Sequence, residues 1–244
     1  MKVSRTKIKC TAVIVLYGLF FSYSVKAGVD ISAKVREERK RDELVNTAIS
    51  ERQKREQDIL NTQIRSSKKK EELVQAVDAY MKRNAPKNKL SAEKIVDLCL
   101  KHDYDLPLLL AQGKIESCFG TCGRARRTGS VFGVGAYDDG TNAHTYRHPN
   151  DSVEPYIKLV KRKYLGENKS VDDLLRGGYK TLRGGAYASN PSYAQTIKRV
   201  REGIIFDTEI EVLYKEYKHF ESNYIALLTK ESMDFLFIPQ LHID

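Results

Sequence analysis

Tryptophan is absent from the 244-residue chain, so every large aromatic contact falls to 14 Tyr and 8 Phe. Long apolar runs are also scarce, and a mean hydropathy of -0.49 excludes a polytopic membrane protein. No proline precedes Pro86, and 13 of the 15 glycines lie between Gly113 and Gly203, a distribution that one uniform domain does not give. Of the four cysteines, Cys99, Cys118 and Cys122 lack the spacing of a zinc site. Acid is in deficit: 42 Lys and Arg against 32 Asp and Glu give +10, which attracts an anionic partner without choosing among nucleic acid, a membrane surface and an acidic polymer. What is present, 41% hydrophobic and 30% charged residues, is the composition of a globular protein. The length suits one domain with extensions or two small ones.

Lys2, Arg5, Lys7 and Lys9 precede an uncharged, mostly apolar stretch, Thr11 to Val25, that ends in Val25-Lys26-Ala27. This order of basic region, apolar run and small residues predicts a signal peptide over residues 1–27, cleaved after Ala27, and hence export to periplasm, cell wall or medium. An uncleaved anchor through residues 11–25 is the competing reading, although the run is shorter than the roughly 20 residues that span a bilayer comfortably. Cleavage leaves Cys99, Cys118 and Cys122 in an oxidising compartment, enough for one intramolecular disulfide. Its pairing stays open, beside the alternative of three small buried thiols.

Residues 28–70 read as a charged helical stalk or linker. Lys34 to Glu72 carries 12 basic and 9 acidic residues and no Gly or Pro, and its sparse apolar positions sustain no clean heptad for a coiled coil. A compact region over 71–206 follows. Leu73, Val74, Val77, Tyr80 and Met81 repeat at helical spacing up to Pro86; Ser91 caps a second helix; Asp105, with Pro107 in the first turn, opens a third. Ser170 with Asp173 resembles a capping box, and Asn190-Pro191 reads as the cap and first residue of another helix. Val131 to Tyr146 reads as a turn-rich β-hairpin around Asp139-Gly140. Ile210, Leu213, Tyr214, Tyr217, Phe220, Tyr224 and Leu228 predict an amphipathic helix in 207–244, placed to cover the compact region, pair with the stalk or bind another protein. The expected class is mainly α with one small β element.

Glu116 falls near the end of the third helix, on the side of Leu109, Gln112 and Gly113. A carboxyl facing the interior is held protonated to higher pH, as a general acid requires, and Gly113 leaves room where a ligand approaches. The surrounding residues form an ordered succession: Ile115-Glu116-Ser117 with Phe119-Gly120-Thr121, Ser130-Val131-Phe132-Gly133-Val134, the Tyr137 to Tyr146 hairpin, Asp151-Ser152-Val153-Glu154, and Ala186-Tyr187-Ala188-Ser189-Asn190-Pro191-Ser192-Tyr193-Ala194. This succession, over roughly residues 72 to 206, resembles the glucosaminidase family of peptidoglycan hydrolases, glycoside hydrolase family 73 of the lysozyme-like superfamily.

The resemblance implies a lysozyme-like fold and cleavage of the β-1,4 bonds of peptidoglycan glycan strands, as an endo-β-N-acetylglucosaminidase, with no cofactor and no metal. Glu116 matches the family's catalytic acid. Ser117 follows it in the motif, with the alternative that its hydroxyl simply bonds the helix end. Phe132 matches the aromatic of the family's Asn-Leu-Phe-Gly motif, in which Ser130-Val131 here replace Asn-Leu. Tyr187 and Tyr193 match the aromatic block, Tyr187 being the better placed for sugar; Tyr137 of the hairpin joins them. Asp138 is the first choice for the second carboxylate, since Asp139 suits the turn and Asp151 a helix cap; Glu154 lies beyond. His144 and His148 lack the His-Glu-x-x-His spacing of a metal helix. Related outcomes are a muramidase or a lytic transglycosylase, and the rival of another class is a non-catalytic wall-binding or virion structural protein. A nucleic-acid partner accounts for +10 but for neither the signal nor the motif order.

Overall fold

The computed structural model describes the backbone of residues 5–134 and 144–236, and side chains of residues 31–134 and 144–229. The protein is mainly helical, with eight α-helices among the described residues. Two compact units meet in sequence at Leu60 and Asn61. The first helix, α1 (Arg5–Asn84), is continuous over 80 residues. In the first unit its described side chains are almost all exposed, Val35, Leu44, Val45 and Ile49 included, as expected where charge surrounds a helix on every side. Arg52 and Glu56 pair at 2.9 Å along this surface.

In the second unit, apolar periodicity takes over. Leu73, Val77 and Met81 of α1 are fully buried, each contributing about 1.5–3 kcal/mol of burial. Lys70 pairs with Asp97 at 2.7 Å on α2 (Ala92–Lys101), whose amino end is capped by Ser91 accepting from the Lys94 amide at 3.2 Å. Asp105 caps α3 (Leu106–Ser117), accepting from the Leu108 amide at 2.6 Å. Leu106 to Gly113 are buried without interruption, as in a helix that is apolar all round, and α3 packs against α2 and two later helices. The short α4 (Ala125–Thr128), α5 (Val153–Val160), α6 (Val171–Arg176), α7 (Tyr193–Asp207) and α8 (Ile210–Leu236) complete the unit, of which α7 and α8 pack on α3, α5 on α2 and α6 on α7. A 3-10 turn, Pro149–Ser152, leads into α5, and a π-helical turn, Lys161–Leu165, continues it.

The capping box at Ser170 and Asp173 forms as expected. The start of α7 does not: the Asn190 carboxamide accepts from the Ser192 amide at 2.9 Å and hydroxyl at 2.8 Å, closing a side-chain turn that holds Pro191 outside the helix. The helix therefore begins at Tyr193. Ile210, Leu213, Tyr214 and Tyr217 of α8 are buried in the second unit, Tyr214 Oη donates to the Tyr104 carbonyl at 3.0 Å, and Glu216 pairs with Lys69 at 2.9 Å. Phe220 and Tyr224 are only half-buried and Leu228 is exposed, so burial fades along the helix. The expected hairpin falls largely on 135–143, outside the described residues. Its flanks meet through one backbone bond, His144 N–H to the Val134 carbonyl at 3.3 Å. Among the described residues the β structure is a single antiparallel bridge between Lys180 and Ala186.

Candidate active site

At the end of α3 the chain reverses through three successive left-handed residues, Cys118, Phe119 and Gly120. The Ser117 hydroxyl organises this reversal. It donates to the Val131 carbonyl at 2.7 Å and accepts from the Gly120 amide at 2.8 Å. The Val131 amide in turn donates to Ser152 Oγ at 3.2 Å. These bonds lay Ser130–Val134 alongside the last turn of α3, bringing Phe132 next to Glu116.

A cavity of about 1030 Å³ opens there, lined by Glu116, Ser130, Phe132, Tyr164, Tyr187 and Tyr193, among others. The Phe132 ring stacks on Tyr156 with centroids 4.4 Å apart and planes 10° from parallel. Tyr187 Oη donates to the Phe132 carbonyl at 3.2 Å, and its ring stacks on Tyr193 at 5.0 Å. Tyr179 meets both edge-on, at 5.0 Å and 5.5 Å. Such offset and edge-to-face contacts suit rings whose faces are negative and edges positive. The cluster thereby fixes the two hydroxyls nearest the carboxyl.

Glu116 is half-buried, and the Tyr193 hydroxyl donates to its Oε1. Burial raises the carboxyl's pKa above its ordinary value, because the charged form loses hydration; the Tyr193 and Tyr187 hydroxyls offset part of that by favouring the anion. The resulting group holds its proton to higher pH than a solvated glutamate, beside a cavity large enough for several sugar-sized rings. This is the equipment of a proton donor to a leaving oxygen.

Other sequence-designated residues are placed as follows. Phe132, Tyr187 and Tyr193 share the cavity with Glu116. Ser117 is buried, does not line the cavity, and serves the helix end. Tyr137, Asp138 and Asp139 lie outside the described residues. Asp151 is exposed and pairs with Lys94 at 3.4 Å. Glu154 is held by Lys101, His102 and Lys158, which together bring its pKa down to about 2, and it does not line the cavity. Among the described residues, Glu116 is the one carboxylate of the cavity wall. Gly113 leaves no room for a ligand: an added Cβ would meet Phe119 Cδ1 at 2.9 Å, so the missing side chain admits that ring.

His144 lines the cavity rim, whereas His148 Nδ1 accepts from the Asn150 amide at 3.2 Å in a loop. No three His, Cys, Asp or Glu side chains gather as metal ligands among the described residues. Cys99, Cys118 and Cys122 are free thiols; Cys99 is in the core, while Cys118 and Cys122 are hydrogen-bonded neighbours.

Sequence reasoning missed Gln112, fully buried, which accepts from Tyr104 Oη at 3.1 Å and donates to Tyr179 Oη, steadying the tyrosine cluster from below. It also missed the basic wall formed by Arg124, Lys158, Arg162 and Lys163. The run of cations from Lys158 to Lys163 was the available signal, but only the fold turns it toward Glu116. Comparison with models of known protein families and with curated proteins finds no match for the chain.

Proposed function

We propose that the protein is an exported peptidoglycan hydrolase that cleaves β-1,4 glycosidic bonds of the glycan strands, as an endo-β-N-acetylglucosaminidase of lysozyme-like type. The observation that carries this reading is the half-buried Glu116, with raised pKa and a Tyr193 hydrogen bond, at a cavity lined by Phe132 and Tyr187. The ordered motifs from Ile115 to Ala194 support the same reading. In it, protonated Glu116 gives its proton to the leaving oxygen as the anomeric carbon gains oxocarbenium character. Tyr193 then stabilises the carboxylate left behind, and the half-buried Tyr187 ring meets the sugars, while Phe132, fully buried and stacked on Tyr156, backs the cavity wall. Asp138 is proposed to position the attacking water.

The test is release of reducing ends from purified peptidoglycan. Glu116→Gln keeps the shape and removes the proton donor, and loss of general-acid catalysis costs about 10²–10⁴-fold in rate. A Glu116→Gln protein that releases ends as fast as the parent overturns the proposal.

A lytic transglycosylase is the second reading, favoured by the single carboxylate on the described cavity wall. A hydroxyl of the muramyl residue would attack internally, which needs no second carboxylate to orient water. Mass spectrometry separates the two, since this route ends in an anhydro sugar and hydrolysis in a free reducing end.

A further inference from the structure

The cavity is electrically one-sided. Arg124 lines it together with Lys158, Arg162 and Lys163, the last three from α5 and its π-helical continuation. Arg162, Lys163 and Tyr164 of the π turn all line the cavity, and such turns recur at functional sites. Lys158 shares Glu154 at 3.1 Å with two other groups, but Arg124, Arg162 and Lys163 have no carboxylate partner among the described residues. They do not serve Glu116 either: its pKa is governed by burial and by the tyrosine hydroxyls, and it moves upward, opposite to what adjacent cations would cause. Three exposed cations without a carboxylate partner, on a cavity whose one described carboxylate is Glu116, favour an anionic feature on whatever fills it.

We propose that Arg124, Arg162 and Lys163 read carboxylates carried by the glycan strand, so that the cavity selects strands whose muramyl residues bear free carboxylates, on the lactyl group or the attached peptide, over neutral β-1,4-linked glycans. The inference rests on the glycosidase reading for the identity of the strand. Carboxylate recognition follows from position: these cations line the same cavity as Glu116, within reach of substituents on sugars beside the scissile bond. Guanidinium forks pair bidentately with carboxylates, which suits Arg124 and Arg162 to that role. A phosphate-bearing wall polymer offers similar charge, but it would not accompany each strand into the groove.

The experiment uses the full chain and three sacculus preparations: intact, stripped of phosphate polymers with hydrofluoric acid, and stripped then amidated with carbodiimide and ammonia. Co-sedimentation measures binding whether or not bonds are cut, and reducing-end release measures hydrolysis separately. The expected result is that stripping leaves binding unchanged, that amidation weakens it about tenfold, and that Arg124→Ala/Arg162→Ala/Lys163→Ala binds stripped sacculi about tenfold more weakly than the parent. On amidated sacculi the gap between parent and variant should close toward one. All three substitutions are at exposed side chains, and an unchanged melting temperature checks the variant's fold. Equal parental binding to stripped and amidated sacculi overturns the inference, as does a variant defect of the same size on both, or binding lost when phosphate is stripped. Absence of reducing ends with carboxylate-dependent binding intact would instead overturn the glycosidase reading alone.

Discussion

Glu116 gathers most of the consequences that a single side chain has in this protein. In the proposed role of proton donor it must be protonated, so activity should fall as pH rises through its raised pKa. Tyr193 favours the anion, and Tyr193→Phe removes that influence. The alkaline limb of the kcat/KM profile should therefore move to higher pH in Tyr193→Phe, while the acid limb stays; a limb that moves to lower pH contradicts the assigned hydrogen bond. Stability follows the same group. A carboxyl whose folded pKa lies above the unfolded value disfavours folding once ionised: the penalty is absent below 4.5, the ordinary value, and grows as pH rises through the folded pKa. Glu116→Gln should match the parent's melting temperature below pH 4.5 and exceed it at alkaline pH, as scanning calorimetry can read. Motif and helical periodicity made Glu116 legible in the sequence. The partners that tune it were not, because Tyr193 lies 77 positions away and only the approach of α7 to α3 joins them.

At the scale of elements, the contact of α3 with α7 sets the site. Asp105 does two tasks: it caps α3 and receives Arg201 of α7, with Nη2 at 2.6 Å and Nε at 3.1 Å. Side-chain exposures of 14% for Arg201 and 18% for Asp105 keep this pair from being screened as a surface pair would be. Arg201→Ala leaves a mostly buried carboxylate without its cation, and should lower stability by about 2–3 kcal/mol in urea unfolding. It should also lower kcat, because the Tyr193 end of α7 loses its anchor to the helix carrying Glu116. The caps at Ser91, Asp105 and Ser170 were readable locally, since a cap needs only neighbours three residues away. The start of α7 was misplaced for a related reason: Asn190-Pro191 has the chemistry of a cap, but an Asn side chain satisfies a turn amide as readily as a helix amide.

For the molecule as a whole, the charged segment and the compact unit obey different rules. Side chains of 31–58 are solvated and contribute no core, whereas the second unit runs from Asn61 and takes in α8. Ending the chain after Phe206 would expose the surface now covered by Ile210, Leu213, Tyr214 and Tyr217. At about 1.5–3 kcal/mol for each large side chain, the loss rivals the 5–15 kcal/mol that holds a typical domain together. The truncated protein should lose its cooperative melting transition and become sensitive to limited proteolysis; a truncated form that melts with the parent would show α8 to be an accessory. Much of the +10 lies in the amino-terminal segment and the charged helix, and the part that bears on the cavity is a small number of cations on one wall.

Periodicity, caps and composition are local properties, so the sequence by itself determined a mainly helical chain, a solvated charged segment and the place of Glu116 on the last turn of α3. Only the tertiary structure decided which surfaces meet that carboxyl. The bonds of Ser117 and Gln112, the stacking of Tyr187 on Tyr193, the filling of the Gly113 gap by Phe119, and the turning of Arg162 and Lys163 into the cavity all depend on distant segments packing together. Close packing admits one arrangement of such side chains, and that arrangement is a property of the assembled core rather than of any stretch of residues within it.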